Sequence, residues 1–135
     1  MSRTVRTLLE DAPVISPNAT GSQVYDLFSE DEDLLVCAVV ENGEPVGMVS
    51  RNAFFLRMAD HHGRALFANR PITFVMNKDP LQVESDRPLS ELSRLIVTDR
   101  QGALFDGFII TREGAYEGVG TGVGLMRAMH AESEE

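Results

Sequence analysis

The sequence predicts an α/β (α+β) chain made of two tandem β-α-β-β-α repeats packed sheet to sheet. Three observations predict it. First, one order of signals runs over residues 13–59 and again over 80–129: a short apolar strand, an amphipathic helix, a longer apolar strand, a turn, another strand and a helix. Second, the turns align. Gly43 and Gly114 sit in them, Gly47 and Gly118 come four residues later, and Ser50 and Thr121 three later again. Third, residues 34–40 are apolar without polar alternation, and residues 107–111 are a shorter, less apolar counterpart. That pattern belongs to strands covered on both faces. Internal repeats decide a fold before any motif does.

Each element has a basis in local chemistry. Val5, Leu8 and Leu9 share one face of an expected short helix over residues 3–12. Residues 13–15 read as a brief strand. Thr20 and Gln23 have capping-box spacing and open a helix whose Val24, Leu27 and Phe28 fall at i, i+3, i+4. The acidic residues 30–33 read as a solvated loop rather than a metal site. Asn42-Gly43 is a strong hairpin-turn signal. A strand over 45–50 and a helix over 51–60 complete the first copy. In the second copy, Asp86 is the expected N-cap, with Pro88 tolerated in the first turn. Leu89, Leu92, Leu95 and Ile96 form the buried stripe. Strands over 107–111 and 116–121 and a helix over 123–130 complete it. The expected organisation is an N-terminal segment 1–12, a first repeat 13–60, a connector 61–79, a second repeat 80–130 and a disordered acidic tail 131–135.

Composition bounds the function. At 135 residues with 43% apolar content, the chain builds one core or two half-domains sharing one. The first residues lack the apolar stretch of a signal peptide, no apolar run is long enough for a membrane helix, and the single cysteine excludes an intramolecular disulfide. A cytoplasmic location is expected. A net charge of −9 argues against nucleic acid and anionic membranes as partners.

Candidate sites each carry two readings. Gly118, Gly120, Gly122 and Gly124 come after a strand and open a helix. Backbone N–H groups there suit an anion, and glycines equally allow close packing. The run fits neither G-x-G-x-x-G nor a P-loop. Arg51, at the matching junction, is either a phosphate contact or a surface residue of a helical first turn. His61, His62 and Arg64 read as connector loop, and two adjacent histidines are poor metal partners; no metal site is expected. Arg64 and Arg70 are the basic residues nearest the cleft between copies. Cys37 reads as core, as do Phe54, Phe55, Met58, Leu125, Met126 and Met129. No catalytic constellation can be assembled by spacing.

The duplicated arrangement resembles the cystathionine-β-synthase (CBS) domain pair, or Bateman module, over residues 13–129. Residues 45–50 and 116–121, each ending in Gly-h-h-Ser/Thr before a helix, carry the likeness. Residues 45–55, 63–67 and 70–72 further resemble CBS pairs of bacterial cyclic-di-GMP signalling proteins. The resemblance implies a regulatory sensor rather than an enzyme. It implies a homodimer, control of a signalling enzyme or attached domain, and AMP, ADP, ATP or a related purine nucleotide bound between the repeats. The implied ligand-binding set is Val14, Ile15, Ser50, Arg51, Ala53, Leu81, Val83, Thr121, Gly122 and Gly124. The family motif ends in a ribose-binding Asp, and those positions here are Ala53 and Gly124. The competing expectation is a dimerisation scaffold with a vestigial cleft.

Overall fold

The computed structural model describes residues 3–60 and 62–134; His61 of the connector reading and Glu135 of the tail lie outside them. The first repeat contains α1 (Gly21–Glu30), β1 (Val36–Glu41), β2 (Glu44–Ser50) and α2 (Arg51–Ala59). The connector holds the short helix α3 (Gly63–Phe67) and a 3-10 turn over Ile72–Phe74. The second repeat contains β3 (Gln82–Glu84), α4 (Leu89–Asp99), the short α5 (Ala103–Asp106), β4 (Phe108–Arg112), β5 (Ala115–Gly120) and α6 (Gly122–Ser133). In this frame β1 and β2 pair antiparallel, while β3 runs parallel to β4 and β4 antiparallel to β5.

The two hairpins are copies in detail. Asn42-Gly43 and Glu113-Gly114 all have positive φ, the geometry a tight hairpin turn of matching twist requires. Both carry a register irregularity one step before the turn, at Val39/Val40 and at Ile110/Thr111. The expected first strand shrinks to one bridge, Ile15 beside Val39, because Pro13 has no N–H and only Ile15 exchanges bonds with Ala38 and Val40. Its counterpart in the second repeat is the full strand β3.

Each repeat is completed by the segment that precedes the other. Backbone bonds Gly21→Arg70, Ser22→Ala68, Ile72→Ala19 and Asn77→Met48 fasten the connector to the first repeat. Leu89→Arg3, Val5→Arg87, Arg6→Ser85 and Glu10→Val119 fasten the N-terminal segment to the second. This explains why the expected helix over 3–12 is only a 3-10 turn, Val5–Leu8. Thr4 and Glu10 pair with Pro88 and Val119, which holds both flanks extended. It also corrects the cap of α4. Pro88 is the N-cap instead of Asp86, and the first helical N–H goes to the Arg3 carbonyl. The capping box at Thr20 and Gln23 forms as expected. The expected end of the last helix moves too. It runs through Ser133, so residues 131–133 are helical rather than disordered tail.

Three buried clusters make the core. One joins Val5 and Leu8 to Leu89, Leu92, Ile96, Phe108, Ile110 and Leu125. A second joins Ile72 to Val24, Phe28, Cys37, Val39, Phe54 and Met58. The third, with Val36, Ala38, Met48, Ile109 and Val119, lies between the sheets. Alternate residues of β1 and β4 thus face helices and the opposite sheet, which accounts for their unbroken apolar character. Phe54, Met58 and Leu125 are buried and Phe55 and Met129 half-buried, but Met126 is 65% exposed and leaves the expected core. Among the described residues no helix is long and apolar enough to cross a membrane.

Candidate functional site

The repeat builds two open grooves at equivalent places. The first, of about 740 Å³, lies between α2 and the end of the connector and is lined by Ser50, Ala53, Arg57, Met76 and Asn77, among others. The second, of about 500 Å³, lies between α6 and the N-terminal segment and is lined by Arg3, Leu9, Glu10, Gly124 and Arg127 with neighbours. The match is residue by residue. Ala53 corresponds to Gly124 after the aligned hydroxyls, and Asn77, paired with Met48, corresponds to Glu10, paired with Val119. Cavities of a few hundred Å³ suit small organic ligands.

The two grooves differ in chemistry. The first is walled by Met48, Phe54, Leu56, Val75 and Met76, and its charged residues are Arg57, Asp60 and Asp106. The second has Arg3, Arg127 and Glu10 as its charged residues. One formal negative charge remains on the first and one positive on the second. In both, the hydroxyl at the helix start meets a carboxylate from elsewhere in the chain. Ser50 Oγ donates to Asp106 Oδ1 at 3.4 Å. Thr121 Oγ1 donates to Glu10 Oε2 at 3.0 Å and accepts the Gly124 N–H at 2.9 Å.

The expected ligand residues do not converge on one cavity. Ser50 and Ala53 line the first groove and Gly124 the second. Leu81 lines a smaller recess of about 240 Å³ with Met48, Asn77 and Asp106. Thr121 and Gly122 line a narrow cleft with Leu35, Leu104 and Phe105. Val14 is exposed, and Ile15 and Val83 are buried strand residues.

Arg51 lies elsewhere. Its Nη1 donates to the carbonyls of Phe28 (2.8 Å), Asp31 (2.9 Å) and Leu34 (3.3 Å), and its guanidinium lies over the Phe28 and Phe55 rings. It closes the C-terminal end of α1, where orphan carbonyls need donors. Arg64 and Arg70, expected near the cleft, lie over Tyr25 and Phe74. Of the glycines, Gly118 faces Leu9, Gly120 the Phe108 ring and Gly122 the Leu104 carbonyl, each too close for a side chain to enter freely. Packing explains these three; Gly124 alone opens onto a groove.

Sequence reasoning missed Arg57, Asp106, Glu10 and Arg127. The missing signal was the equivalence of the N-terminal segment with the connector, which Arg3/Arg70 and Val5/Ile72 express. Cys37 is fully buried, and burial, then the charge of Asp31, push its thiol up to about 12. It stays protonated and packs as a small apolar residue.

Comparison with known proteins identifies the fold. Residues 3–60 match the family model described as the CBS domain. No curated protein matches the sequence. Among solved structures, the CBS-pair protein CBSX2 from Arabidopsis thaliana superposes with a TM-score of 0.78 at 17% identity, covering 100% of this chain and 99% of that one. CBSX2 in complex with AMP gives 0.73 at 18%, covering 97% and 98%. The CBS domain pair of MJ0100, in complex with 5-methylthioadenosine and S-adenosyl-L-methionine, gives 0.75 at 12%, covering 98% and 99%. The chain therefore has the fold of a CBS domain pair, with the CBS family model matched over its residues 3–60.

Proposed function

We propose that this chain is a regulatory module that binds a purine nucleotide, such as AMP, ADP or ATP, and has no catalytic role. One observation carries the reading: the repeat symmetry generates two grooves of ligand size, each beside a helix-start hydroxyl paired with a carboxylate. Adenosyl ligands bound by similar folds, AMP by CBSX2 and 5-methylthioadenosine and S-adenosyl-L-methionine by the MJ0100 pair, support the ligand class. The mechanism is a population shift. A ligand in the first groove touches α2 and the connector on one side and Asp106 of the second repeat on the other, and so favours one relative arrangement of the repeats.

The readout is a homodimer or an attached signalling domain in the cytoplasm. Leu104, Phe105, Val123 and Met126 are exposed on the adjoining α5 and α6, with Phe105 at 81%, a composition suited to a second copy. Control of a cyclic-di-GMP enzyme rests on the sequence likeness of residues 45–55, 63–67 and 70–72. The same apolar residues favour a second reading, a dimerisation scaffold without a ligand. A thermal-shift panel of adenine and guanine nucleotides, S-adenosyl-L-methionine and cyclic di-GMP separates the two. A ligand at a hundred times its Kd adds about 2.7 kcal/mol and raises Tm by roughly 10 °C. No shift from any nucleotide, with dimer retained in light scattering, sinks the sensor and leaves the scaffold.

A further inference from the structure

We propose that the connector and the end of α2 form a docking surface for an acidic, leucine-bearing peptide segment of a partner protein. The proposal stands independently of the nucleotide reading.

Charge singles this surface out. Residues 51–78 carry five of the chain's 12 Lys and Arg and one of its 21 Asp and Glu, while the whole chain stands at −9. An acidic partner is repelled by most of the molecule and attracted here.

Three arginines of the surface are held by rings. Arg57 lies over Phe67 at 5.2 Å, Arg64 over Tyr25 at 4.5 Å and Arg70 over Phe74 at 5.1 Å. Stacking fixes each guanidinium by its flat face and leaves the N–H groups along its edge to face outward. Among the described residues, no carboxylate lies within ion-pair distance of the three. Their side chains donate no hydrogen bond there either, whereas Arg51 and Arg100 donate to carbonyls. Guanidinium edges positioned in this way match carboxylates two bonds at a time.

The three are also neighbours. Arg64 and Phe67 share one face of α3, so Arg57 and Arg64 flank the same short helix. The Arg70 carbonyl accepts the Gly21 N–H at the start of α1, about one turn before the Tyr25 that holds Arg64. Apolar side chains accompany them. Leu56 beside Arg57, Leu66 on α3 and Phe74 beneath Arg70 are exposed. A small anion would leave all three in water. A segment bearing both carboxylates and leucines covers the cations and the apolar groups together.

Fluorescence anisotropy of the whole chain with a labelled synthetic peptide of about 16 residues, with leucines on one helical face and glutamates on the rest, tests this. Wild type is expected to bind it at least about tenfold tighter than the same peptide with glutamine for glutamate, and more weakly as salt is raised. Arg64→Gln with Arg70→Gln is expected to lose about tenfold; Arg57 is left intact because it also lines the first groove. Leu66→Ser, which keeps every charge, is expected to lose about threefold or more. Arg87→Gln with Arg94→Gln removes the same charge from α4 and its approach and is expected to change binding by less than about twofold. Circular dichroism melts confirm that each variant is folded. Equal binding by wild type and the Arg64/Arg70 variant overturns the proposal, as does an equal loss in the Arg87/Arg94 variant, which would show an effect of net charge alone. Equal binding of the glutamine peptide, or no binding of the acidic one up to millimolar concentration at low salt, overturns it too. Binding to phosphatidylserine vesicles in place of the peptide would make the surface a membrane contact and overturn the choice of partner.

Discussion

The first repeat is filled with rings and the second with aliphatic chains, on one backbone plan. Tyr25, Phe28, Phe54 and Phe55 contact one another at centroid distances of 5.4–6.1 Å, and every ring–ring contact among the described residues lies in this repeat. Four arginines lie over its rings and those of the connector. The second repeat buries Leu89, Leu92, Ile96, Ile110 and Leu125 around one ring, Phe108. Turns and main-chain pairings therefore set the frame, while the core needs only complementary volume. The paired strands show it at one position. Cys37 faces Val49 in the first hairpin, and Phe108 faces Gly120 in the second. Small against medium becomes large against none.

Phe28→Ala should have the largest effect, because it removes the fully buried ring at the centre of the aromatic cluster. It is expected to cost about 3–5 kcal/mol in urea unfolding. A smaller loss would mean the rings collapse onto the gap. Next comes the swap at the hairpin. Gly120→Val drives a side chain into Phe108 and should cost about 1–3 kcal/mol or more. Adding Phe108→Cys, which copies the first repeat, should return part of that loss, with a coupling of about 0.5–3 kcal/mol. Strictly additive costs would show that the two positions are not one packing unit.

The residues just after the matched hydroxyls give a third contrast. Arg51 bonds three carbonyls at the end of α1, whereas its counterpart Gly122 lets α5 approach. Arg51→Met should cost about 1–3 kcal/mol, and it should leave AMP affinity unchanged because Arg51 is outside both grooves. A selective loss of AMP binding would restore its phosphate role. The smallest effect lies at Glu84, which staples β3 to the second turn and whose counterpart Ser16 carries no charge. Its carboxyl is held below its ordinary 4.5 by the Thr111 hydroxyl first, then by the N–H groups of Glu113 and Gly114. A lowered pKa adds stability that is present above the unfolded value and lost as pH falls through the folded one. Glu84→Gln should therefore flatten the fall in stability as pH drops below the ordinary 4.5 of the carboxyl, read from urea midpoints.

The duplicated frame was legible because it rests on local signals: the Asn42-Gly43 turn, the Thr20 capping box and the unbroken apolar strand around Cys37. The swapped segments were not. Val5 and Leu8 look like a helix face by spacing alone, and only long-range pairing with Ser85, Arg87 and Val119 holds them otherwise. The same blindness hid half of the candidate site. Ser50 and Thr121 stood out by repetition, but their carboxylate partners Asp106 and Glu10 come from distant stretches that no local pattern links. Arg51 misled because a cation at a helix start reads equally as ligand contact or as clamp.

Whether the two unequal grooves of one frame take a nucleotide is a question that amide chemical shifts can read directly, in an AMP titration of the isotope-labelled chain. Saturable shifts are expected at Thr121 and Gly124 at lower concentration than at Ser50 and Ala53, because the formal positive charge belongs to the second groove and the negative one to the first. Shifts confined to Ser50 and Ala53, or none at either groove up to millimolar AMP, would contradict it.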